Sequence, residues 1–199
     1  MTTNQLNKIN AVALAGSLRK DSINRAALRA SAALAPTELD LTELSIAAVP
    51  FFDADVEAQG DPESVVELKT RVNEADALLL FLPEYNGSFS AVAKNAIDWL
   101  SRPAADGSFV LNGKPVGIVS ASPGPRGGQG VRSDAQRILG YMTDALFDET
   151  FGIASAFDKF DGEYLLSDST TVASLSDWLQ RFHAHAESSV SIGPRIERR

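Results

Sequence analysis

Six consecutive apolar residues, ALLLFL (Ala77 to Leu82), constrain the fold more than any other feature of this chain. Such a run has no polar side to turn toward water. It therefore demands cover on both faces, as helices give to a central strand of a parallel sheet. It is also far too short to cross a bilayer. INAVALA (Ile9 to Ala15) and KPVGIVSAS (Lys114 to Ser122) read as further strands. ELDLTEL (Glu38 to Leu44) alternates apolar and polar residues, as an edge strand does, and ETFGIA (Glu149 to Ala154) is the weakest of the five. Helical patterns fall between and after them: Ser22 to Ala35, Asp61 to Ala75, Ser90 to Leu100, Gly130 to Phe147 and Thr170 to Glu187. Asp61 is expected to cap the second of these, with Pro62 at its first helical position. Alternating strands and helices specify a three-layer α/β domain with a five-stranded parallel sheet of order 2-1-3-4-5 and helices on both faces. The chain of 199 residues reads as one domain over residues 1–190, with 191–199 as a mobile tail.

Ligands of such sheets sit at the carboxyl ends of the strands, beside the point where the strand order reverses. The segments after strands 1, 3 and 4 share that rim. The first, AGSLRKDSIN (Ala15 to Asn24), carries more short polar side chains than a cap requires. Free N–H groups at a helix N-terminus suit a phosphate; Ser17, Ser22 and Asn24 add short donors and Arg19 a charged fork. No Walker A lysine follows, and Gly16 alone does not make a dinucleotide fingerprint. The second, PEYNGS (Pro83 to Ser88), offers the flat face of Tyr85 and the amide of Asn86. The third, SASPGPRGGQG (Ser120 to Gly130), is rich in glycine, which lets backbone approach a ligand closely. Together they suggest a shallow, backbone-lined slot with one anionic end.

Composition removes most rival chemistries. The chain has no cysteine, which excludes disulfides, thiolate nucleophiles and iron–sulfur clusters and favours a cytoplasmic location. A net charge of −8 argues against nucleic-acid binding; Arg195, Arg198 and Arg199 form only a local basic tail. The first residues, MTTNQLNK, lack the apolar core of a secretory signal. His183 and His185 are two apart and are expected at the surface, without a metal role. DADVE (Asp53 to Glu57) reads as a solvated acidic loop, and no GxSxG elbow occurs.

GSLRKDSIN, PEYNGSFSAVAKNAIDWLSRP and SASPGPRGG, in that order, resemble the NAD(P)H-dependent FMN reductases of flavodoxin-like fold, a group that includes quinone, azo-dye and chromate reductases. The resemblance extends weakly to about Glu187. It implies FMN as cofactor and NADPH or NADH as co-substrate, with ping-pong hydride transfer to a small acceptor such as a quinone, azo compound, free flavin or chromate. It implies that Ser17, Arg19, Ser22 and Asn24 bind the FMN phosphate. Pro83, Glu84, Tyr85 and Asn86 would border the ring and ribityl chain, and Ser120, Ala121, Ser122 and Gly124 the other side of the ring. No side chain is required as a catalyst, and Tyr85 is expected mainly to pack beside the ring. Members form homodimers, some homotetramers; the apolar residues on more than one side of the helix from Ser90 to Leu100 fit a partner surface. One departure is that GSFSA stands after PEYN where many relatives carry a proline-containing segment. The alternative is a flavodoxin-like electron carrier that docks on partner proteins. Such carriers hold phosphate without arginine and often sandwich the ring between two aromatics. Arg19, with Tyr85 as the one evident ring neighbour, favours the enzyme.

Overall fold

The computed structural model describes residues 8–192, and the five expected strands form one parallel sheet within them. β1 (Ile9–Ala15), β2 (Leu39–Glu43), β3 (Ala77–Phe81), β4 (Val116–Ala121) and β5 (Phe151–Ile153) lie in the order β2-β1-β3-β4-β5. Ala15 aligns with Phe81 and Phe81 with Val119, so β1, β3 and β4 reach a common carboxyl rim. Every residue of β3 is buried, as its unbroken apolar run requires.

Two cores flank the sheet. α1 (Ile23–Leu34) and α6 (Ser169–Ile192) cover one face, where Trp178 stacks on Phe182 with ring centroids 5.7 Å apart. α3 (Glu63–Glu74), α4 (Ala91–Leu100) and α5 (Gln129–Leu139) cover the other. Trp99 of α4 is fully buried beneath residues 50–52. Its indole N–H donates to the Pro50 carbonyl at 2.8 Å, and the Phe52 ring meets it edge-on at 4.9 Å. Much of the apolar breadth of α4 is therefore covered within the chain.

The structure corrects several local expectations. Pro62, not Asp61, occupies the cap position of α3, and no side chain caps it. Asp61 instead pairs at 2.6 Å with the buried ammonium of Lys69, which also donates to the Pro103 carbonyl and lies 5.8 Å from the Trp99 ring. A buried cation needs that carboxylate more than an exposed N–H does. α5 ends at Leu139 and does not continue to Phe147, because residues 143–147 are drawn to the start of β4: Thr143 Oγ1 donates to Lys114 O at 2.7 Å and Phe147 N to Val116 O at 2.9 Å. The acidic DADVE is not a plain loop. Asp53 Oδ1 accepts from Asp55 N and caps a short α2 (Ala54–Glu57), whose Glu57 pairs with Arg102 at 2.7 Å.

His183 is buried and not at the surface, whereas His185 Nε2 meets the Ala145 carbonyl at 2.8 Å. α6 runs to Ile192, and the arginines of the tail lie outside the described residues. Among the described residues no helix is long and apolar enough to cross a membrane, and no group of side chains is arranged to hold a metal ion.

The Lys69 side chain is 3 % exposed, so Asp61→Asn strands a buried charge. Urea unfolding of that variant should show a loss of about 3 kcal/mol, and a loss below ~1 kcal/mol would show that the ammonium has another adequate partner.

Candidate functional site

The first rim segment enters α1 through Ser22, whose Oγ accepts from Arg25 N at 3.3 Å. The N–H groups of Ile23 and Asn24 come before Ala26 N, the first intrahelical donor, and so have no acceptor within the helix. No carboxylate stands in that first turn to offset the positive end of the helix dipole; Asp21 directly precedes the cap, and the Glu84 carboxylate accepts from Val131 N. Ser17 is buried, and its Oγ accepts from Arg19 N at 3.4 Å. Arg19 is exposed and folds over its own loop, Nη2 donating to the Asp21 carbonyl at 2.6 Å. Gly16 fixes the segment to β3, its N–H reaching Phe81 O at 2.8 Å. Ser90 Oγ donates to Gly16 O at 2.6 Å and also caps α4 by accepting from Ala93 N.

The second segment is a tight hairpin. Tyr85 and Ser88 exchange backbone hydrogen bonds of 3.0 and 3.1 Å, with Asn86 (φ 53°) and Gly87 (φ 80°) between them. Two successive left-handed residues define a type I′ turn, for which Asn-Gly is the favoured pair. Glu84 is turned toward α5, where Oε2 accepts from Val131 N at 3.1 Å and supplies the cap that Gly128 has no side chain to give. The hairpin also rests on α5: a Cβ at Gly130 would lie 2.4 Å from Gly87 O. Ser88 Oγ donates to Asp134 at 2.6 Å, which holds the Asp134 carboxyl below its ordinary pKa.

The third segment is built around Ser120, which is fully buried. Its Oγ donates to Gly127 O at 2.5 Å and accepts from Arg132 Nη1 at 3.0 Å. Arg132 also donates to Gly127 O, and its Nε to Thr150 Oγ1 at 3.1 Å, so one guanidinium ties the glycine loop to β4 and to the approach to β5. Burial lowers the pKa of Arg132, and the Glu84 carboxylate opposes that shift. Asn24 spans to the same strand. Its Nδ2 donates to Ala121 O at 2.9 Å and its Oδ1 accepts from Ala121 N at 2.8 Å.

These segments enclose a cleft of about 150 Å³. Ser17, Arg19, Ser22, Asn24, Pro83, Glu84, Tyr85, Ala121 and Ser122 all line it. Asn86 sits over the shoulder of the hairpin, on a neighbouring shallow groove of about 640 Å³ shared with Phe89, Lys94 and Arg137. Ser120, which is buried, and Gly124, which is half-buried, are not among the lining residues. Gly124 O accepts from Gly127 N and Ser155 N, which places this glycine in the scaffold of the loop. A further groove of about 570 Å³, between α3 and residues 103–106, is remote from this rim.

Sequence reasoning missed Ile23, Pro123 and Phe157 in the lining. Phe157 stands on a 3₁₀ turn (Ala156–Asp158) directly after β5. Tyr85 is therefore not the one aromatic at the cleft, and that part of the case against an electron carrier falls. The available signal was the strand order, since β5 neighbours β4 and its carboxyl end reaches the same rim. The cleft combines backbone N–H groups, two hydroxyls and a guanidinium at one end with flat faces from Pro83, Tyr85 and Pro123, and the exposed Phe157 ring is a further part of its lining. It suits an elongated ligand with an anionic terminus and a planar body.

Comparison with known proteins agrees with this chemistry. A family model described as NADPH-dependent FMN reductase matches residues 9–158. The chain is 38 % identical over 157 residues to a quinone reductase of Pseudomonas putida, covering 78 % of this chain and 83 % of that one. It is 35 % identical over 161 residues to an NAD(P)H-dependent FMN reductase of Pseudomonas aeruginosa, covering 80 % and 85 %. Among solved structures, the flavoenzyme NAD(P)H:(acceptor) oxidoreductase FerB of Paracoccus denitrificans superimposes with a TM-score of 0.79 at 29 % identity, covering 91 % of this chain and 98 % of that one.

Asn24→Ala would leave both backbone polar groups of Ala121 without their side-chain partner. We expect a loss of about 2–4 kcal/mol in thermal or urea unfolding, from two buried groups left unsatisfied. Asn24→Asp should restore less than half of it, because a carboxylate can accept from Ala121 N but cannot donate to Ala121 O.

Proposed function

The chain belongs to the NADPH-dependent FMN reductase family, and on that premise we propose that it is an FMN-dependent NAD(P)H oxidoreductase with its flavin in the cleft between the three rim segments. The observation that carries this reading is the α1 N-terminus: outward N–H groups, Ser17, Ser22 and Arg19 converge there with no carboxylate in the helix's first turn. That donor set fits a phosphate monoester. When bound, FMN supplies hydride acceptance from NADPH or NADH and two-electron return to a small acceptor.

The protein's part is positioning. Ser17, Ser22, Arg19 and the Ile23 and Asn24 amides would hold the phosphate. The Asn24 side chain, already committed to Ala121, would fix the spacing between the phosphate end and β4. Pro83 and Tyr85 on one bank, and Ala121, Ser122 and Pro123 on the other, would border the ring. Asn86 would shape the hairpin through its left-handed backbone, and Glu84, Ser120, Gly124 and Arg132 would hold the two banks. The relatives named quinone reductase support a quinone as acceptor. Azo compounds, free flavin and chromate are the other acceptors this open cleft would admit. A chain without cysteine that draws on NAD(P)H fits the cytoplasm.

We also infer a homodimer. With Trp99 covered internally, its support shifts to residues 50–57, where Phe51 is 73 % exposed beside Phe52 and Val56, and to the groove next to Tyr85, whose Lys94, Asp134 and Arg137 offer both charges. Sedimentation should show a dimer that Phe51→Glu converts to monomer; a wild-type monomer at micromolar concentration would remove the inference.

The test of the main reading is direct. Purified protein loaded with FMN should bleach within seconds of anaerobic NADPH or NADH addition, and flavin that stays oxidised for minutes would favour the carrier. Arg19→Ala should weaken FMN binding by about 1.5–3 kcal/mol in a fluorescence titration, the range for a charge-assisted hydrogen bond. An unchanged curve would take Arg19 away from the phosphate.

A further inference from the structure

We propose that Phe157 is the stacking shelf for the purine of the nicotinamide nucleotide, with Lys20 and Arg126 as the cations for its phosphates. The proposal rests on the reading of the cleft as an FMN site and extends that reading to the co-substrate.

The turn that carries Phe157 is held from both sides. Ser155 N donates to Gly124 O at 3.1 Å and Ala156 N to Ser122 O at 3.0 Å, bolting it to the third rim segment. Ala156 and Phe160 are buried beneath it. Ser155 adopts φ 47°, a left-handed conformation that few non-glycine residues take and that the surrounding bonds must maintain. This fixed turn nevertheless presents Phe157 at 62 % exposure. A single exposed aromatic is ordinary on a protein surface. This one lines the cleft, beside Arg19 and Pro123.

With the phosphate assigned to the α1 N-terminus and the ring to the second and third segments, Phe157 is the aromatic face of the cleft left without a ligand. It rises from β5, two strands from β3 and Tyr85, and so about 10 Å across the sheet from it. The described residues form a single sheet with its covering helices, and the rim beside the flavin cleft is where they offer purine and phosphate contacts to the co-substrate. Lys20 and Arg126 are exposed on the first and third segments, and neither side chain has a hydrogen bond or ion pair among the described residues. Free cations on two segments that border the cleft, in a chain with net charge −8, complement a pyrophosphate, and the flat apolar face of Phe157 complements adenine.

The experiment is a calorimetric titration of oxidised, FMN-loaded protein with ADP-ribose, which carries the purine and pyrophosphate but cannot transfer hydride. Phe157→Ala should weaken ADP-ribose binding about tenfold, within the range for loss of one base–aromatic stack, while Phe157→Trp keeps it. KM for NADPH should rise by a similar factor with kcat and the acceptor KM unmoved, and Phe157→Ala should retain its full FMN content. ADP-ribose affinity unchanged within twofold, or flavin lost from Phe157→Ala, overturns the proposal and leaves the flavin assignment standing. Failure of the wild-type protein itself to hold FMN would instead remove the reading of the cleft, and the shelf with it.

Discussion

Two hydrogen bonds between one side chain and one peptide unit set the geometry of the whole rim. Asn24 grips both the N–H and the C=O of Ala121, and in doing so pins the N-terminus of α1 to the end of β4. Parallel strands bring their carboxyl ends to one edge, but they do not fix the distance from a helix dipole on one face to a loop two strands away. The amide of Asn24 does, because its donor and acceptor match the backbone pair in direction and spacing. The remaining ties follow the same logic. Ser90 binds the first segment to the base of α4, Glu84 binds the hairpin to α5, and Arg132 binds the glycine loop to β4. Each segment is thus fastened to a neighbouring element by a polar side chain, and the cleft lies between parts tied to one another.

Periodicity made the fold legible. The unbroken ALLLFL, the alternating ELDLTEL and the alanine-rich first helix became a central strand, an edge strand and a covering helix, with no end displaced by more than one residue. What the sequence hid were competitions settled in three dimensions. Asp61 had the chemistry of a cap, but a lysine eight residues on and buried nearby took its carboxylate. The pattern from Gly130 to Phe147 remained helical to the eye, whereas the edge of β4 claimed its last residues for backbone pairing.

The site was legible at the level of segments and less so at the level of atoms. All three rim segments converge. The polar residues within them divide between those that face the cleft and those that hold it open. Ser120 and Asn24 look alike as candidate ligands in a string of letters, yet the hydroxyl of one and the amide of the other are spent on backbone. Asn86 looked like an amide donor, and its visible service is a positive φ in the Asn-Gly turn. Phe157 lies outside the three rim segments, on a short turn after β5 whose residues carry no glycine-rich or short polar pattern to mark a ligand loop.

The chain's two tryptophans are both sealed from water, one in each layer: Trp178 against Phe182 on the α6 side, Trp99 beneath Pro50 on the α4 side. Each indole is therefore an optical gauge of its own half of the molecule. Replacing either one with phenylalanine leaves an intrinsic fluorophore that reports whether the two layers melt in a single cooperative event or peel away from the sheet in turn.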